Sequence, residues 1–498
     1  MVFSSHIFLF YFLPLALILY YAMPRRGKHL LLTIISYGFY GWTNPLFMGL
    51  LLFSTAVDYF CGLLLAYNGF RWTGPISRLA PVEPRTRFQR LALIISLSSN
   101  LCLLGFFKYF NFGVENVNLL SDALGLAWLR LDLAFKVTLP LGISFYTFQS
   151  MSYAIDVYRG QAKALRNFVD FACFVSMFPQ LVAGPIIRFQ DIADQLAYRT
   201  YSLEKFSRGV AFMSLGLAKK IMLANPCGKV ADVVFGAGSV GAGDAWYGVL
   251  AYAFQIYFDF SGYSDMAIGM GLMLGFVFAK NFDSPYWSQS ITEFWRRWHI
   301  SLSTWLRDYL FTPLSYALLT DRMRNRMVRE KFRFNYPALA AVLIVFIICG
   351  LWHGAGWTFI VWGAIHGGVL VVEQLRGKNS FYWKMPKAAR VAITFLLTTL
   401  AWVFFRASDM TSAIVYLKSM FGLGAVQDGT GLVGGLIYQP YYLMTFAMAA
   451  GITWLMPQTW DWSRVITGPK AVIVVLLLVL SLVVLATQAY NPFIYFIF

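Results

Sequence analysis

The chain has 498 residues and a net charge of +17, and 59% of its residues are hydrophobic, 18% aromatic and only 13% charged. Soluble domains carry about 25% charged residues, and no polar stretch here is long enough to fold as one, so the composition excludes a soluble multidomain protein. The basic residues cluster in certain loops and form no nucleic-acid-binding motif, which favours membrane lipids over nucleic acid as partners. We predict an all-α, polytopic membrane protein with a single membrane-embedded domain over residues 1–498.

A bilayer core requires about 20 apolar residues per crossing helix. Apolar runs occur near 6–23, 29–43, 46–67, 90–108, 137–155, 168–187, 245–260, 263–279, 337–353, 356–373, 391–406, 440–456 and 470–488. Since several are short or interrupted, we predict about 11 transmembrane helices, with re-entrant and interfacial helices in addition. We expect the run 168–190 to be re-entrant, because basic segments flank both of its ends and it is broken at Pro179 and at Gly184–Pro185. Such backbone must be buried in protein or line a cavity, which indicates a central tunnel.

Lysine and arginine residues mark the loops that we predict to face the cytosol. Arg25, Arg26 and Lys28 follow the first apolar run, whereas a cleaved signal has its positive charge first, so we expect the first helix to remain with its basic end in the cytosol. The loops 68–90, 321–335 and 376–390 hold the other basic clusters.

Ionisable residues within a membrane segment cost about 2.5–3.5 kcal/mol each and are therefore candidates for function. The densest stretch is ITEFWRRWHISLSTWLRDYLF at 291–311, where aromatic residues alternate with Glu293, Arg296, Arg297, His299, Arg307 and Asp308. An interfacial amphipathic helix with a tryptophan face would have the same composition as a functional site. At helical spacing, Arg296 and His299 would lie close together.

The second candidate stretch is GLWHGAGWTFIVWGAIHGG at 350–368. His353 ends an apolar run beside glycine-containing turns, where a histidine can titrate near neutrality and take a proton from a hydroxyl group. A core histidine bonded to a backbone carbonyl is the alternative, and we assign His366 to such a structural role. The sequence has no nucleophile elbow, Walker A motif or zinc-spaced His/Cys set, and its five cysteines match no disulfide framework.

Two further patterns suggest ligands that we reject. The segment YFDFSGYSD at 257–265 lacks the remaining ligands of a calcium loop, so we expect Asp259 or Asp265 to pair with Arg296 or Arg297. The glycines at 269–275 imitate a dinucleotide fingerprint, but no strand precedes them, and small residues four apart are ordinary in membrane helix packing.

Together these segments closely resemble the membrane-bound O-acyltransferase (MBOAT) family, in its alginate O-acetylase branch. The resemblance runs over about residues 1–406 and is carried by MVFSSHIFLFYFLP at 1–14, FKYFNFG at 107–113, LPLGISFYTFQSMSYAIDVYRG at 139–160, FPQLVAGPIIRF at 178–189, YFDFSGYSDMAIGMGLMLGF at 257–276, SITEFWRRWHISLSTWLRDYL at 290–310 and GLWHGAGWTF at 350–359. Residues 313–335 depart from the short Gly-Gly-Asn-Arg turn of many relatives, and the tail after 406 carries no known motif.

The resemblance implies an acyltransferase site in a tunnel, with His353 as the essential residue and His299 as its partner. We therefore expect the two imidazoles to line one continuous cavity, within about 10–15 Å of each other. It places substrate-binding groups and oxyanion donors among Trp295, Arg296, Arg297, Trp352 and Asp308. It also implies a cytosolic thioester donor, most simply acetyl-CoA, with no metal and no permanently bound cofactor. The acceptor would be an exopolysaccharide such as alginate, reached through a periplasmic SGNH-type acetyltransferase or a polysaccharide synthesis complex at a bacterial inner membrane.

Two other functions are compatible with the residues. A transporter or flippase for a lipid-linked glycan would typically show an internal two-fold repeat, which we do not see. A non-catalytic scaffold of a polysaccharide synthesis complex would tolerate replacement of His353.

Overall fold

The computed structural model describes residues 2–81, 83–320, 336–377, 381–424 and 431–494. Within these ranges the chain is built of helices and contains no strand, so the all-α prediction is confirmed. The chain divides into two compact units. The first comprises Met1–Gly209 and Ala267–Phe278, and the second comprises Val210–Met266 and Ala279–Phe498.

The helices that begin in the first unit include the longest helix of the chain, whose start is fixed by a capping box between Thr86 and Gln89. A π-helical segment, Phe8–Phe12, leads into the first of them. In chain order they are α1 Leu13–Ala22, α2 Lys28–Gly41, α3 Leu46–Tyr67, α4 Arg87–Leu124, α5 Ile143–Arg159, α6 Phe168–Ser176, α7 Phe178–Leu181, α8 Phe189–Ala197 and α9 Leu203–Ala218.

The remaining helices begin in the second unit, and two π-helical segments, Lys219–Ala224 and Arg307–Phe311, lie among them. They are α10 Asn225–Gly236, α11 Ala242–Met273, α12 Ile291–Arg297, α13 Ile300–Leu306, α14 Thr312–Ala317, α15 Tyr336–His353, α16 Trp357–Arg376, α17 Lys387–Arg406, α18 Met410–Met420, α19 Gly431–Ile437, α20 Pro440–Leu455, α21 Thr459–Trp462 and α22 Gly468–Thr487.

Six of the described helices are long and apolar enough to cross a membrane, namely α3, α4, α15, α16, α17 and α22. Their lipid-compatible composition confirms a multi-pass membrane protein, while the total of about 11 crossings stays a prediction. The run 168–190 is broken at Gly184–Pro185 as predicted, since non-helical backbone joins α7 to α8. The other break falls at Met177, and Pro179 lies in the first turn of α7, where a proline fits a helix; the re-entrant path stays a prediction. The basic loop 321–335, with most of the departure at 313–335, lies outside the described residues.

One pair of predicted spans was wrong. The runs 245–260 and 263–279 form a single helix, α11, that continues through Ser261 and Gly262. Gly262 does not break the helix because it serves close packing: a Cβ atom there would lie 2.7 Å from the carbonyl oxygen of Gly216 in α9. Small residues commonly allow such close backbone approach between membrane helices.

Candidate active site

The stretch 291–311 is interrupted at its histidine. α12 ends at Arg297 and α13 begins at Ile300, and His299 adopts a left-handed conformation with φ of 43°. The backbone N–H of Ile300 donates to the carbonyl oxygen of Asn281 at 2.9 Å, which ties the break to a neighbouring segment. The expectation that Arg296 and His299 share one helical face was therefore wrong, because the helix turns before it reaches the histidine.

The hydrogen bonds around His299 determine which of its nitrogens carries the proton. The Asn281 side-chain oxygen accepts from the backbone N–H and the hydroxyl of Ser301, at 3.1 and 2.9 Å, so it faces this cluster as an acceptor. His299 Nδ1, 3.3 Å from the same oxygen, must then donate. Nε2 keeps its lone pair and has no hydrogen-bond partner among the described residues. Complete burial lowers the pKa of His299, which lies outside the six candidate spans, to about 3 and keeps it neutral.

His353 is the last residue of α15, as the apolar run predicted, and its side chain is buried. The rings of Trp352, Trp362 and Phe405 surround it, with centroids 4.9, 5.2 and 5.1 Å away. The carbonyl groups at a helix C-terminus carry partial negative charge and stabilise a protonated imidazole there. This position therefore suits a group that must accept a proton.

The two histidines lie close together, on either side of one tryptophan. The ring centroid of Trp352 is 6.3 Å from that of His299 and 4.9 Å from that of His353, so the imidazoles are separated by no more than about 11 Å. The predicted separation of about 10–15 Å or less is confirmed.

A small cavity of about 10 Å³ adjoins His353, with room for about one water molecule. Apart from His353 its walls are apolar and aromatic: Ile256, Phe260, Trp298, Trp362, Trp402, Phe405 and Ile494. His299 does not line this cavity, because its ring packs edge-on against Phe260 at 4.5 Å. The structure thus gives His353 direct access to the cavity and places His299 behind its wall. The expectation that both imidazoles line one cavity was wrong for this cavity, because the ring of Phe260 lies between it and His299.

A larger cavity of about 480 Å³ is lined mainly by residues of α12, α13, α15 and α16. Two exposed arginines, Arg296 and Arg307, line it together with the buried residues Trp295 and Cys349. Cys349 precedes His353 by one helical turn, a rise of about 6 Å. The other lining residues are Thr292, Ile300, Ser303, Thr304, Leu306, Phe311, Val342, Val345, Phe346, Leu370 and Gln374.

Tryptophan side chains separate the two cavities. Trp295 lines the larger cavity, Trp362 lines the smaller one, and their ring centroids are 5.7 Å apart. The indole N–H of Trp295 donates to Nδ1 of His366 at 3.3 Å, which gives His366 the structural role expected of it. The indole N–H of Trp362 is buried and has no hydrogen-bond partner among the described residues, so it is a candidate oxyanion donor beside His353.

Comparison with known proteins shows the family to which the chain belongs. The model of the membrane-bound O-acyltransferase family matches residues 244–412, which hold both histidines. Proteins named probable alginate O-acetylase AlgI from Azotobacter vinelandii and Pseudomonas putida are 40% and 42% identical over the full length of both chains. A peptidoglycan O-acetyltransferase from Helicobacter pylori is 36% identical over 86% of this chain and 81% of its own length. The chain belongs to the MBOAT family. It is an O-acyltransferase, so neither a transporter nor a non-catalytic scaffold is favoured.

The predicted substrate-binding residues of this MBOAT protein are not all in one place. Trp295 and Arg296 line the larger cavity, and Trp352 packs between the two histidines. Arg297 instead forms an ion pair with Glu293, and Asp308 forms one with Arg307, both at 2.8 Å.

The predicted ion pairs of Asp259 and Asp265 with Arg296 or Arg297 were wrong. Asp259 pairs with Lys220 at 2.6 Å, and both side chains are almost completely buried. Asp265 pairs with Lys219 at 2.7 Å. Both lysines belong to a π-helical segment that faces α11, a partnership that sequence spacing does not reveal. No ion pair of Arg296 occurs among the described residues, which leaves its charge available at the larger cavity.

One wall of the small cavity comes from a segment that carries no recognisable motif. The backbone N–H of Ile494 donates to Asp259 at 2.8 Å, and Lys220 donates to the carbonyl oxygen of Pro492. Phe493 stacks on Tyr263 with centroids 3.9 Å apart. These contacts hold Ile494 against the cavity of His353. No sequence signal marks this role, because Ile494 is an ordinary apolar residue more than 200 positions from Asp259.

Proposed function

We propose that this acyltransferase moves an acetyl group from a cytosolic thioester, most simply acetyl-CoA, across a bacterial inner membrane for the O-acetylation of an exopolysaccharide. Alginate is the proposed polysaccharide. The observation that carries the proposal is the similarity over the whole chain, at 40% and 42% identity, to proteins named probable alginate O-acetylase. The relative named for peptidoglycan is less similar and matches over less of the chain.

In the proposed reaction, His353 acts as the general base. Its imidazole takes the proton of an acceptor hydroxyl while the hydroxyl oxygen attacks the carbonyl carbon of the thioester. The carbonyl electrons move to oxygen, where the indole N–H of Trp362 stabilises the charge. When the oxyanion collapses, the carbon–sulfur bond breaks and the departing thiolate receives the proton from the imidazolium. A general base contributes typically about 10²–10⁴-fold to such a rate.

The larger cavity supports the proposed binding of the donor. Guanidinium groups bind phosphate through paired hydrogen bonds, and two exposed guanidinium groups line this cavity. Arg296 has no ion pair among the described residues, whereas Arg307 pairs with Asp308. Its buried end at Cys349 lies one helical turn from His353. A thioester that enters here would need the contact between Trp295 and Trp362 to open before its carbonyl group could reach the histidine.

The acceptor would approach from the periplasmic side, either as the polysaccharide or as a partner that relays the acetyl group. We propose a periplasmic SGNH-type acetyltransferase, or the polysaccharide synthesis complex, as that partner. The reaction as written requires neither a metal ion nor a permanently bound cofactor.

The test of this proposal is His353→Ala in cells that secrete alginate and lack their own membrane acetylase. Removing the base should lower the acetyl content of the secreted alginate by about 100-fold or more. Acetyl groups are measured by NMR of the purified polysaccharide, and the amount of protein in the membrane is measured by immunoblot.

His6→Ala provides the matched control, since His6 is an exposed histidine that lines neither cavity near His353. It should leave acetylation unchanged. Full acetylation by the His353→Ala protein would exclude His353 as the base. Wild-type protein that acetylates peptidoglycan but not alginate would reassign the acceptor and leave the base intact.

A further inference from the structure

A basic pocket in the first unit lies outside the machinery described above. Its volume is about 80 Å³, and it is lined by Arg25, His29, Leu196, Ala197, Arg199 and Tyr201. Lys28, which precedes His29 in the sequence, does not line the pocket. It is buried and donates to the backbone carbonyl oxygen of Tyr20 at 2.6 Å. Two guanidinium groups, those of Arg25 and Arg199, therefore converge on a pocket that the proposed acyl transfer does not use.

Arg199 is held rigidly by partners that do not neutralise its charge. Its Nε and Nη2 atoms donate to the hydroxyl of Tyr20 at 3.0 and 2.8 Å, and its guanidinium stacks over Phe276 at 4.3 Å. Nη1 lies 2.7 Å from Nε2 of His29. Because a guanidinium only donates, His29 Nε2 accepts, and Nδ1 donates to Asp170 at 2.6 Å. The Asp170 carboxylate thus bonds to the imidazole of His29 and not to the guanidinium of Arg199.

Arg25 supplies the second free charge of the pocket. It is exposed, and its guanidinium lies over the ring of Tyr198 at 4.9 Å. Among the described residues, neither Arg25 nor Arg199 forms an ion pair with a carboxylate. Unpaired cations close together repel each other, so an arrangement that fixes them around a cavity is stabilised by an anion between them.

We propose that this pocket binds a phosphate group. The volume is larger than a halide ion requires and too small for a sugar ring, and two guanidinium groups match the geometry of phosphate oxygens. Two sources present the same phosphate oxygens, namely the headgroup of an anionic phospholipid and a soluble phosphorylated compound. The sequence predicts that the Arg25 end of α1 faces the cytosol, where either source is available.

The primary experiment measures the affinity of the purified full chain for inorganic phosphate in nanodiscs of zwitterionic lipid. Arg25→Gln should weaken the affinity about tenfold, because one charge-assisted contact is lost. Arg26→Gln is the matched control: it removes the same charge from the neighbouring exposed residue, which does not line the pocket, and should change the affinity less than about twofold. Arg199→Lys keeps the positive charge but removes the planar guanidinium that can bind two phosphate oxygens at once, so it should also weaken phosphate binding.

Two further measurements distinguish the source of the phosphate. In nanodiscs that contain phosphatidic acid, native mass spectrometry should show retained lipid in the wild type and less in Arg25→Gln if a lipid is the source. In zwitterionic nanodiscs, binding of 4′-phosphopantetheine that is weakened by Arg25→Gln would indicate a soluble source. Equal losses in the Arg25→Gln and Arg26→Gln proteins, or no phosphate binding at millimolar concentration, would overturn the proposal. These readouts do not depend on acetyl transfer, so they remain informative if the proposed function fails.

Discussion

His299 shows how a single residue can be constrained by its backbone and its hydrogen bonds together. A non-glycine residue in the left-handed region costs about 1–3 kcal/mol and persists only where its surroundings fix it. Here the Asn281 side chain and the turn between α12 and α13 fix both the backbone and the tautomer. The pKa of His299 is about 3 in the folded chain, against 6.5 for the free side chain. Between these pH values the unfolded chain therefore binds a proton at His299 that the folded chain does not. Stability should therefore fall as the pH drops from 6.5 towards 3.

The substitution His299→Asn tests the role of the imidazole separately from that of the left-handed backbone conformation. Asparagine tolerates the left-handed region, so the turn should be kept while the ring and its free Nε2 are lost. If the ring positions Trp352 and His353 for transfer, the acetyl transfer rate should fall on the order of 100-fold. The rate is measured in membrane vesicles and the melting temperature in detergent. A rate within about twofold of the wild type would restrict His299 to packing.

At the scale of elements, glycines allow α15 and α16 to pack closely behind the site. A Cβ atom at Gly350 would lie 2.1 Å from the carbonyl oxygen of Phe359, and one at Gly363 would lie 2.2 Å from that of Phe346. Backbone atoms cannot move aside as a flexible side chain can. The GLWHG motif therefore combines the candidate base His353 with the glycine that lets its helix reach the neighbouring one.

Gly350→Ala should force α15 and α16 apart and displace His353, which lies three residues further along. We expect a loss of about 1–3 kcal/mol in stability, typical of overpacking, together with slower acetyl transfer. Gly368→Ala, in α16, is the control, because a Cβ atom there meets nothing within 4 Å. Thermal unfolding in detergent and a transfer assay compare the two proteins. Equal stability of both would show that the helix contact can relax at no cost.

At the scale of the whole molecule, the basic loops predict the orientation in the membrane. The loop between α3 and α4 contains Arg71, Arg78 and Arg85, and the positive-inside rule places it in the cytosol. α4 has 38 residues and is about 57 Å long at 1.5 Å per residue. It can cross the bilayer core with length to spare, so its far end should lie on the opposite side.

Cysteine labelling tests this orientation. The background is Cys102→Ser, which removes the only exposed native cysteine among the described residues. In intact cells, Ser77→Cys, in the loop between α3 and α4, should resist an impermeant maleimide. Asp132→Cys, which lies beyond α4, should react. Permeabilised cells provide the control, because both positions are exposed and should then react. The reverse pattern in intact cells would invert the assigned orientation.

Many helices were predictable because hydrophobic runs of membrane length follow from the cost of burying polar groups in lipid. α3 and α15 begin and end within one residue of their predicted runs at 46–67 and 337–353. The errors arose where neighbouring helices decide the outcome. Gly262 continues α11 because it packs on Gly216, and the break at His299 depends on bonds to Asn281.

The composition alone indicated a multi-pass membrane protein and marked His299 and His353 as candidates, because ionisable groups inside an apolar chain are rare and costly. The family resemblance carried by the motifs indicated the acyltransferase activity. Only the tertiary structure could show that Asp259 pairs with Lys220, that Trp362 faces the cavity of His353, and that Ile494 closes it. These contacts join residues far apart in the sequence. Since an apolar side chain or a buried ion pair can be satisfied by many partners, the packing of the folded chain selects which partner it meets.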